Sequence, residues 1–234
     1  MDIKNKVVII TGASQGIGLA TAQYLSKQDA KLVLAARSED KLSKLAKELP
    51  GSLVIKTDMT SLVDIKKLVT DTVKKFGRID ILINNAGQGL MSPVESIDIY
   101  ELKKIMDLNL YGVISAMQAV IPIMRKQGGG MIINVSSAVT KNYYPGLAGY
   151  ASTKYALNAI SFTARQELAS DNIIVSSILP KMTATNFGTN SIGARPEFIG
   201  NLLKSRPDME IDTPEKVAIK IGDLIKTGEA ELLV

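Results

Sequence analysis

The 234-residue chain contains no cysteine, no histidine and no tryptophan. Without Cys there are no disulfides, no thiolate nucleophile, no Cys-ligated zinc and no Cys-bound iron–sulfur cluster. Without His there is no Ser-His-Asp triad, no His-ligated metal and no imidazole base near neutral pH. Any proton chemistry must therefore use Tyr, Lys, Asp or Glu. An all-carboxylate Mg²⁺ site passes this filter, but no Asp/Glu cluster at ligand spacing stands out, so no metal is expected.

Long apolar runs are also missing. The first, Val7-Val8-Ile9-Ile10, is too short for the core of a signal peptide, and no stretch approaches the length of a membrane span. The expectation is a cytoplasmic protein with no membrane partner. Lys plus Arg number 28 against 23 Asp plus Glu, a net +5 spread along the chain without a basic block or interleaved aromatics. Nucleic acid is therefore not expected as a partner, while a site for an anionic ligand suits the balance.

What the chain does have is alternation. The runs Lys6–Ile10, Lys31–Ala36, Leu53–Thr57, Ile79–Asn84, Met131–Ser136, Ile173–Leu179 and Glu231–Val234 are rich in Val, Ile and Leu without strict alternation, as strands buried on both faces are. Between them lie stretches of helical periodicity. Several open on capping residues, as at Ser38-Glu39-Asp40, Ser61 and Thr213-Pro214-Glu215. Strand and helix in repeated alternation predict an α/β fold, a parallel sheet with helices on both faces. No linker divides residues 1–234, so one domain is expected. Residues 186–212, with Gly188, Gly193, Pro196, Gly200 and Pro207, are too long for an ordinary connection. They read as a substrate loop or as an irregular surface insertion.

Open parallel sheets bind ligands beyond the carboxyl ends of their strands. After the first strand stands Thr11-Gly12-Ala13-Ser14-Gln15-Gly16-Ile17-Gly18, leading into a helix. Such glycines admit a phosphate close to the backbone, where free N–H groups stabilise it; they also serve packing alone. The second strand ends in Ala35-Ala36-Arg37-Ser38. It lacks the carboxylate that would bind a ribose 2′-hydroxyl and offers an Arg for a 2′-phosphate, which favours NADP over NAD; the other reading is a solvated Arg. Asp58 is either an adenine contact or a turn residue, and Asn84-Asn85-Ala86-Gly87 either a cofactor wall or an ordinary turn. Tyr150 and Lys154 lie one helical turn apart, and Ser137 ends the fifth strand. A positive neighbour lowers a phenol from its usual pKa of about 10, so Tyr could then trade a proton with an alcohol or carbonyl.

The ordered set of TGASQGIG at 11–18, NNAG at 84–87, Asn109, Ser137 and YASTK at 150–154 resembles the short-chain dehydrogenase/reductase family, from the first strand to about residue 187. The resemblance implies a Rossmann-like, doubly wound sheet of seven strands, usually in a homo-tetramer or homo-dimer built partly on two long helices. It implies Tyr150 as acid/base, Ser137 orienting the substrate oxygen, and Lys154 on the nicotinamide ribose while lowering the Tyr pKa. Asn109 would hold a water linking Lys154 to solvent. Gly12, Ser14, Gln15, Gly16, Ile17 and Gly18 would line the pyrophosphate path, with Asp58 and Met59 at adenine. Asn85, Ala86 and Gly87 would follow the ribose, and Pro180, Thr183 and Thr185 the nicotinamide end. An NADP(H)-dependent oxidoreductase, NADPH preferred over NADH, acting on a small carbonyl or alcohol follows. The alternative is a protein of the same fold that senses NADP(H) without catalysis, against which the intact Ser/Tyr/Lys set argues.

Two departures stand out. Where the family usually reads Pro-Gly after the sixth strand, this chain has Pro180-Lys181, a cation turned either to solvent or toward an acidic substrate. The C-terminus also lacks the Asp-Gly-Gly tail common among 3-oxoacyl carrier-protein reductases and many steroid enzymes. Tyr143, Tyr144, Leu147 and Met182 are expected beside the substrate or in the core.

Overall fold

The computed structural model describes residues 1–194 and 210–234. Its strands are β1 (Val7–Thr11), β2 (Lys31–Ala36), β3 (Leu53–Lys56), β4 (Ile81–Asn84), β5 (Gly130–Val135), β6 (Ile173–Leu179) and β7 (Glu231–Leu233). They form one parallel seven-stranded sheet in the order β3-β2-β1-β4-β5-β6-β7. The helices between them are α1 (Gly16–Ser26), α2 (Glu39–Glu48), α3 (Leu62–Phe76), α4 (Ile99–Met106), α5 (Gly112–Lys126), α6 (Ala148–Glu167) and α7 (Pro214–Thr227). The doubly wound arrangement follows from the apolar strands. Successive side chains enter opposite layers: Val8, Ile10, Ile81 and Ile83 pack with Leu25, Val217 and Ile221 of α1 and α7, while Ile9, Leu82 and Ile132 pack with Leu68, Val120 and Leu157 of α3, α5 and α6.

Caps and strand ends adjust the sequence reading by one or two residues. Ser61 accepts a hydrogen bond from Asp64 N and Thr213 one from Lys216 N, whereas Ser38 precedes α2 without a side-chain cap. Ile79 and Asp80 fall before β4, although Asp80 N still donates to Val7 O at 2.9 Å. Buried Asp80 also accepts from Val7 N at 2.8 Å and from the Arg78 guanidinium, pinning β1 to β4 at the end away from the ligand side.

One expectation is corrected. The continuous helical stretch Ile99–Lys126 reaches the length and apolar composition of a membrane span. Its Ile105, Val113, Ala116, Met117, Val120 and Met124 are buried within the fold instead. Between α4 and α5 the stretch widens into a π-turn at Asp107–Tyr111, a device often found at functional positions.

A buried polar chain ties the sheet to α6. Asn84 Nδ2 donates to Asn134 Oδ1 at 2.9 Å, Asn134 Nδ2 to Ser161 Oγ at 2.8 Å, and Ser161 Oγ to Leu157 O at 2.6 Å. Of the 186–212 segment, residues 195–209, with Pro196, Gly200 and Pro207, lie outside the described residues.

Candidate active site

The sheet order reverses between β1 and β4, the place where an open α/β sheet leaves a crevice for ligands. Thr11 closes β1, and its hydroxyl accepts from Asn85 N at 3.0 Å and Ala86 N at 3.1 Å. Asn85 replies through Nδ2, donating to Thr11 O at 2.9 Å and Gly12 O at 3.3 Å. Gly18 lies against the same knot: a Cβ there would stand 2.4 Å from Gly12 O and 2.5 Å from Asn85 Nδ2. The Asn85 side chain is thus spent on joining the two turns, leaving backbone, Ala86 and Gly87 toward the crevice. The helix start beyond is open. Gly16 has a positive φ of 55°, Gln15 gives no side-chain cap to α1, and the first turn holds no acidic residue. The backbone N–H groups there suit an anion.

The crevice is a cleft of about 1420 Å³, larger than the roughly 300–1,000 Å³ of an ordinary small-molecule pocket. It runs from Gly12 and the Ser14–Ile17 turn past Arg37, Asp58 and Met59 to Ala86 and Gly87, and ends among Ser137, Tyr150, Lys154, Pro180, Thr183 and Thr185. Of the residues expected at the site, only Gly18 and Asn109 lie behind its wall. Arg37 is exposed and makes no ion pair among the described residues. Asp58 turns Oδ1 onto Thr60, accepting from its N at 2.9 Å and its hydroxyl at 2.8 Å. It is a turn residue that also borders the cleft.

At the far end, α6 carries Tyr150 and Lys154 toward the end of β5. The Tyr150 hydroxyl is hydrogen-bonded to Ser137, which pulls its pKa down, but burial pushes the phenol up to about 12. Lys154 is 5% exposed; its ammonium donates to Val135 O at 2.8 Å and lies 5.8 Å from the Tyr150 ring centre. Burial lowers it to about 8. Desolvation therefore dominates Tyr150, opposed by the Ser137 hydrogen bond and not by Lys154, whose ammonium is anchored on a carbonyl. The π-turn brings in Asn109, whose Oδ1 accepts from Gln88 N at 2.9 Å. Both its amide hydrogens are taken, by Gln88 O at 2.8 Å and Thr153 Oγ1 at 3.1 Å. The water assigned to Asn109 finds no free side-chain donor there.

Sequence reasoning missed Thr11 and, although Phe187 falls in the 186–212 segment read as a substrate loop, missed its contact with Tyr150. The Phe187 ring tilts against Tyr150 at 5.4 Å between centres, and its segment is held by Ile192, paired with Gly89 and Met91 through backbone bonds of 3.0 and 2.9 Å. Its one signal was a lone aromatic in a Gly/Asn-rich stretch. Tyr144, Leu147 and Met182 border the cleft as expected. Tyr143 does not; it is exposed and stacks on Tyr155 at 6.4 Å.

A family model for the short chain dehydrogenases matches residues 6–195. The chain belongs to the short-chain dehydrogenase/reductase family. An uncharacterized oxidoreductase of Listeria monocytogenes is 40% identical over 240 aligned positions, covering 94% of this chain and 95% of that protein. One from Staphylococcus saprophyticus is 42% identical over 188, covering 79% and 76%. A 3-ketoacyl-(acyl-carrier-protein) reductase from Brucella melitensis, crystallised with NADH, superposes with a TM-score of 0.90 at 27% identity, covering 99% and 97%. This short-chain dehydrogenase/reductase is thus an oxidoreductase with a nicotinamide-dinucleotide-binding fold. Among the described residues no group of three His, Cys, Asp or Glu is placed to hold a metal.

Proposed function

We propose that the chain is an NADP(H)-dependent carbonyl reductase, reversible as an alcohol dehydrogenase, with Tyr150 as acid/base. The observation that carries this reading is one cleft with an uncapped helix start and an Arg37 that makes no ion pair among the described residues at one end, and Ser137 bonded to Tyr150 beside Lys154 at the other. The donor set fits a dinucleotide phosphate. The N–H groups of the Ser14–Ile17 turn would hold the pyrophosphate, Arg37 the 2′-phosphate, Asp58 and Met59 the adenine, and Lys154 the nicotinamide ribose. When bound, the nicotinamide supplies or accepts the hydride. Ser137 holds the carbonyl oxygen, and Tyr150 gives it a proton as the carbon–oxygen double bond becomes single; in reverse, Tyr150 takes that proton back. The segment 186–212 serves as the substrate loop of a single domain.

Arg37 decides the cofactor. A charge-assisted contact to a phosphate contributes about 1.5–3 kcal/mol, or about 10- to 100-fold. NADPH is expected to exceed NADH in kcat/KM by about that factor, with Arg37→Ala removing the preference. A panel of aldehydes, ketones and quinones followed at the NADPH absorbance band makes the measurement. A clear preference for NADH refutes the assignment, and tight NADPH binding without oxidation by any member of the panel turns the reading to a sensor.

We also propose a homo-dimer or homo-tetramer built on the two long helices. Ile99, Tyr100 and Tyr111 are exposed along the α4–α5 stretch, and Tyr155 and Ile160 along α6. An interface takes a contiguous apolar patch, and these are the side chains that would supply it. Light scattering should give a multiple of the 25.2 kDa chain mass, reduced by Tyr111→Asp; a monomeric wild type overturns this.

A further inference from the structure

We infer that Lys181 selects carbonyl substrates bearing a carboxylate, that is, keto acids, by giving the carboxylate its counter-charge inside the cleft. This rests on the reading of the site as a carbonyl reductase.

The direction of the side chain follows from the sheet. The backbone ladder of β6 continues past Leu179: Val234 N donates to Leu179 O at 3.1 Å, Ala138 N to Pro180 O at 2.9 Å, and Lys181 N to Val234 O at 2.9 Å. With the pleat kept, side chains go on alternating between faces. Ile178 lies in the α1/α7 layer, and Ile173 and Val175 lie in the α5/α6 layer. Lys181 therefore falls on the α6 side, the side that carries Tyr150 and Lys154. Its chain neighbour Pro180 is tied to Ala138, the residue after Ser137, so the lysine starts beside the group that orients the substrate oxygen.

Among the described residues the charge has no partner. Lys181 is exposed, borders the cleft, and makes no ion pair or side-chain hydrogen bond among the described residues. The other cleft lysines are committed, Lys154 to Val135 O and Lys141 to Glu231 at 2.6 Å. Glu210 and Glu215 border the cleft too, but neither bridges Lys181; Glu210 acts on Lys216. A lysine is a point charge on a flexible four-carbon stem, so it tolerates some variation in distance between the carbonyl and the carboxylate. Tyr144, Leu147 and Met182 supply apolar wall for the methylenes between them.

The test uses linear methyl-ketone acids with two, three or four methylenes between carbonyl and carboxylate, each paired with its methyl ester, and NADPH as hydride donor. In the wild type kcat/KM should favour acid over ester. In Lys181→Met that ratio should fall about tenfold or more, as for a lost hydrogen bond to a charged group, mainly through KM for the acid and less at high salt. Lys181→Arg should keep most of it. Ester turnover by each variant reports an intact fold and cofactor site. An unchanged acid-to-ester ratio in Lys181→Met, or a wild type that prefers the esters, overturns the role of Lys181 alone. Absence of turnover of both series overturns this proposal, and with no turnover of the aldehyde, ketone and quinone panel either, the carbonyl-reductase reading beneath it falls as well.

Discussion

Tyr150→Phe is expected to bind NADPH as the wild type does and to lose at least about 100-fold in turnover, the lower end of what positioned acid/base groups contribute. The substitution removes one oxygen and leaves the ring that packs on Phe187 and lies near Lys154. Ser137 keeps a partner, because its hydroxyl also accepts from Val139 N at 3.2 Å. Calorimetric titration separates binding from chemistry. The pH dependence follows from the direction of the Tyr150 shift. With burial holding the phenol at about 12, it stays protonated through the neutral range, so carbonyl reduction, which needs a proton donor, should be flat there. Alcohol oxidation needs the phenolate and should accelerate as pH rises. An active Tyr150→Phe enzyme would return the proton chemistry to the carboxylates, since the chain holds no histidine or cysteine.

Lys154→Met should also silence the enzyme, and it carries a separate signature in stability. Burial lowers Lys154 from its ordinary 10.5 to about 8, so between those pH values the unfolded chain binds a proton that the folded chain has released. Stability from this group therefore rises with pH across the window. The gain is on the order of 3 kcal/mol at about 1.4 kcal/mol per pKa unit. Denaturant unfolding at pH 7.5 and pH 10 should show the wild type gaining on Lys154→Met by an amount of that order. If both proteins shift in parallel, the buried ammonium does not limit stability at neutral pH.

Much of the architecture was legible because its causes are local in the chain. Strands such as Val7–Thr11 and Ile81–Asn84 are buried on both faces, and burial on both faces writes itself as an unbroken apolar run. Tyr150 and Lys154 were readable as a pair because one helical turn separates them. The missing parts depend on distance in sequence. Thr11 and Asn85 bond across 74 positions, and nothing in either local pattern names the partner. Asn109 was legible as a motif, but both hydrogens of its amide are taken by Gln88 and by Thr153, 44 positions away. Tyr143 was expected near the substrate from its neighbours, yet one residue of difference from Tyr144 turns it outward onto Tyr155. The raised pKa of Tyr150 was not readable from its pairing with Lys154, because sequence gives adjacency and not desolvation.

The Asn84–Asn134–Ser161 chain bears on how such a site can change its specificity. Ser161 lies seven residues beyond Lys154 on α6, two turns along nearly the same face. A slip of α6 by one residue, about 1.5 Å, would leave the Asn134 amide without its hydroxyl partner in a layer where an unpaired polar group is costly. Misplacement of reacting groups by about 1 Å can cost on the order of 100-fold in rate. The depth of Tyr150 and Lys154 is thus gauged from the sheet interior, remote from any substrate. The stretch after β6 with Lys181 and Met182 takes no part in that hydrogen-bond chain, so it is free to be rewritten for new substrates while the proton donor keeps its place.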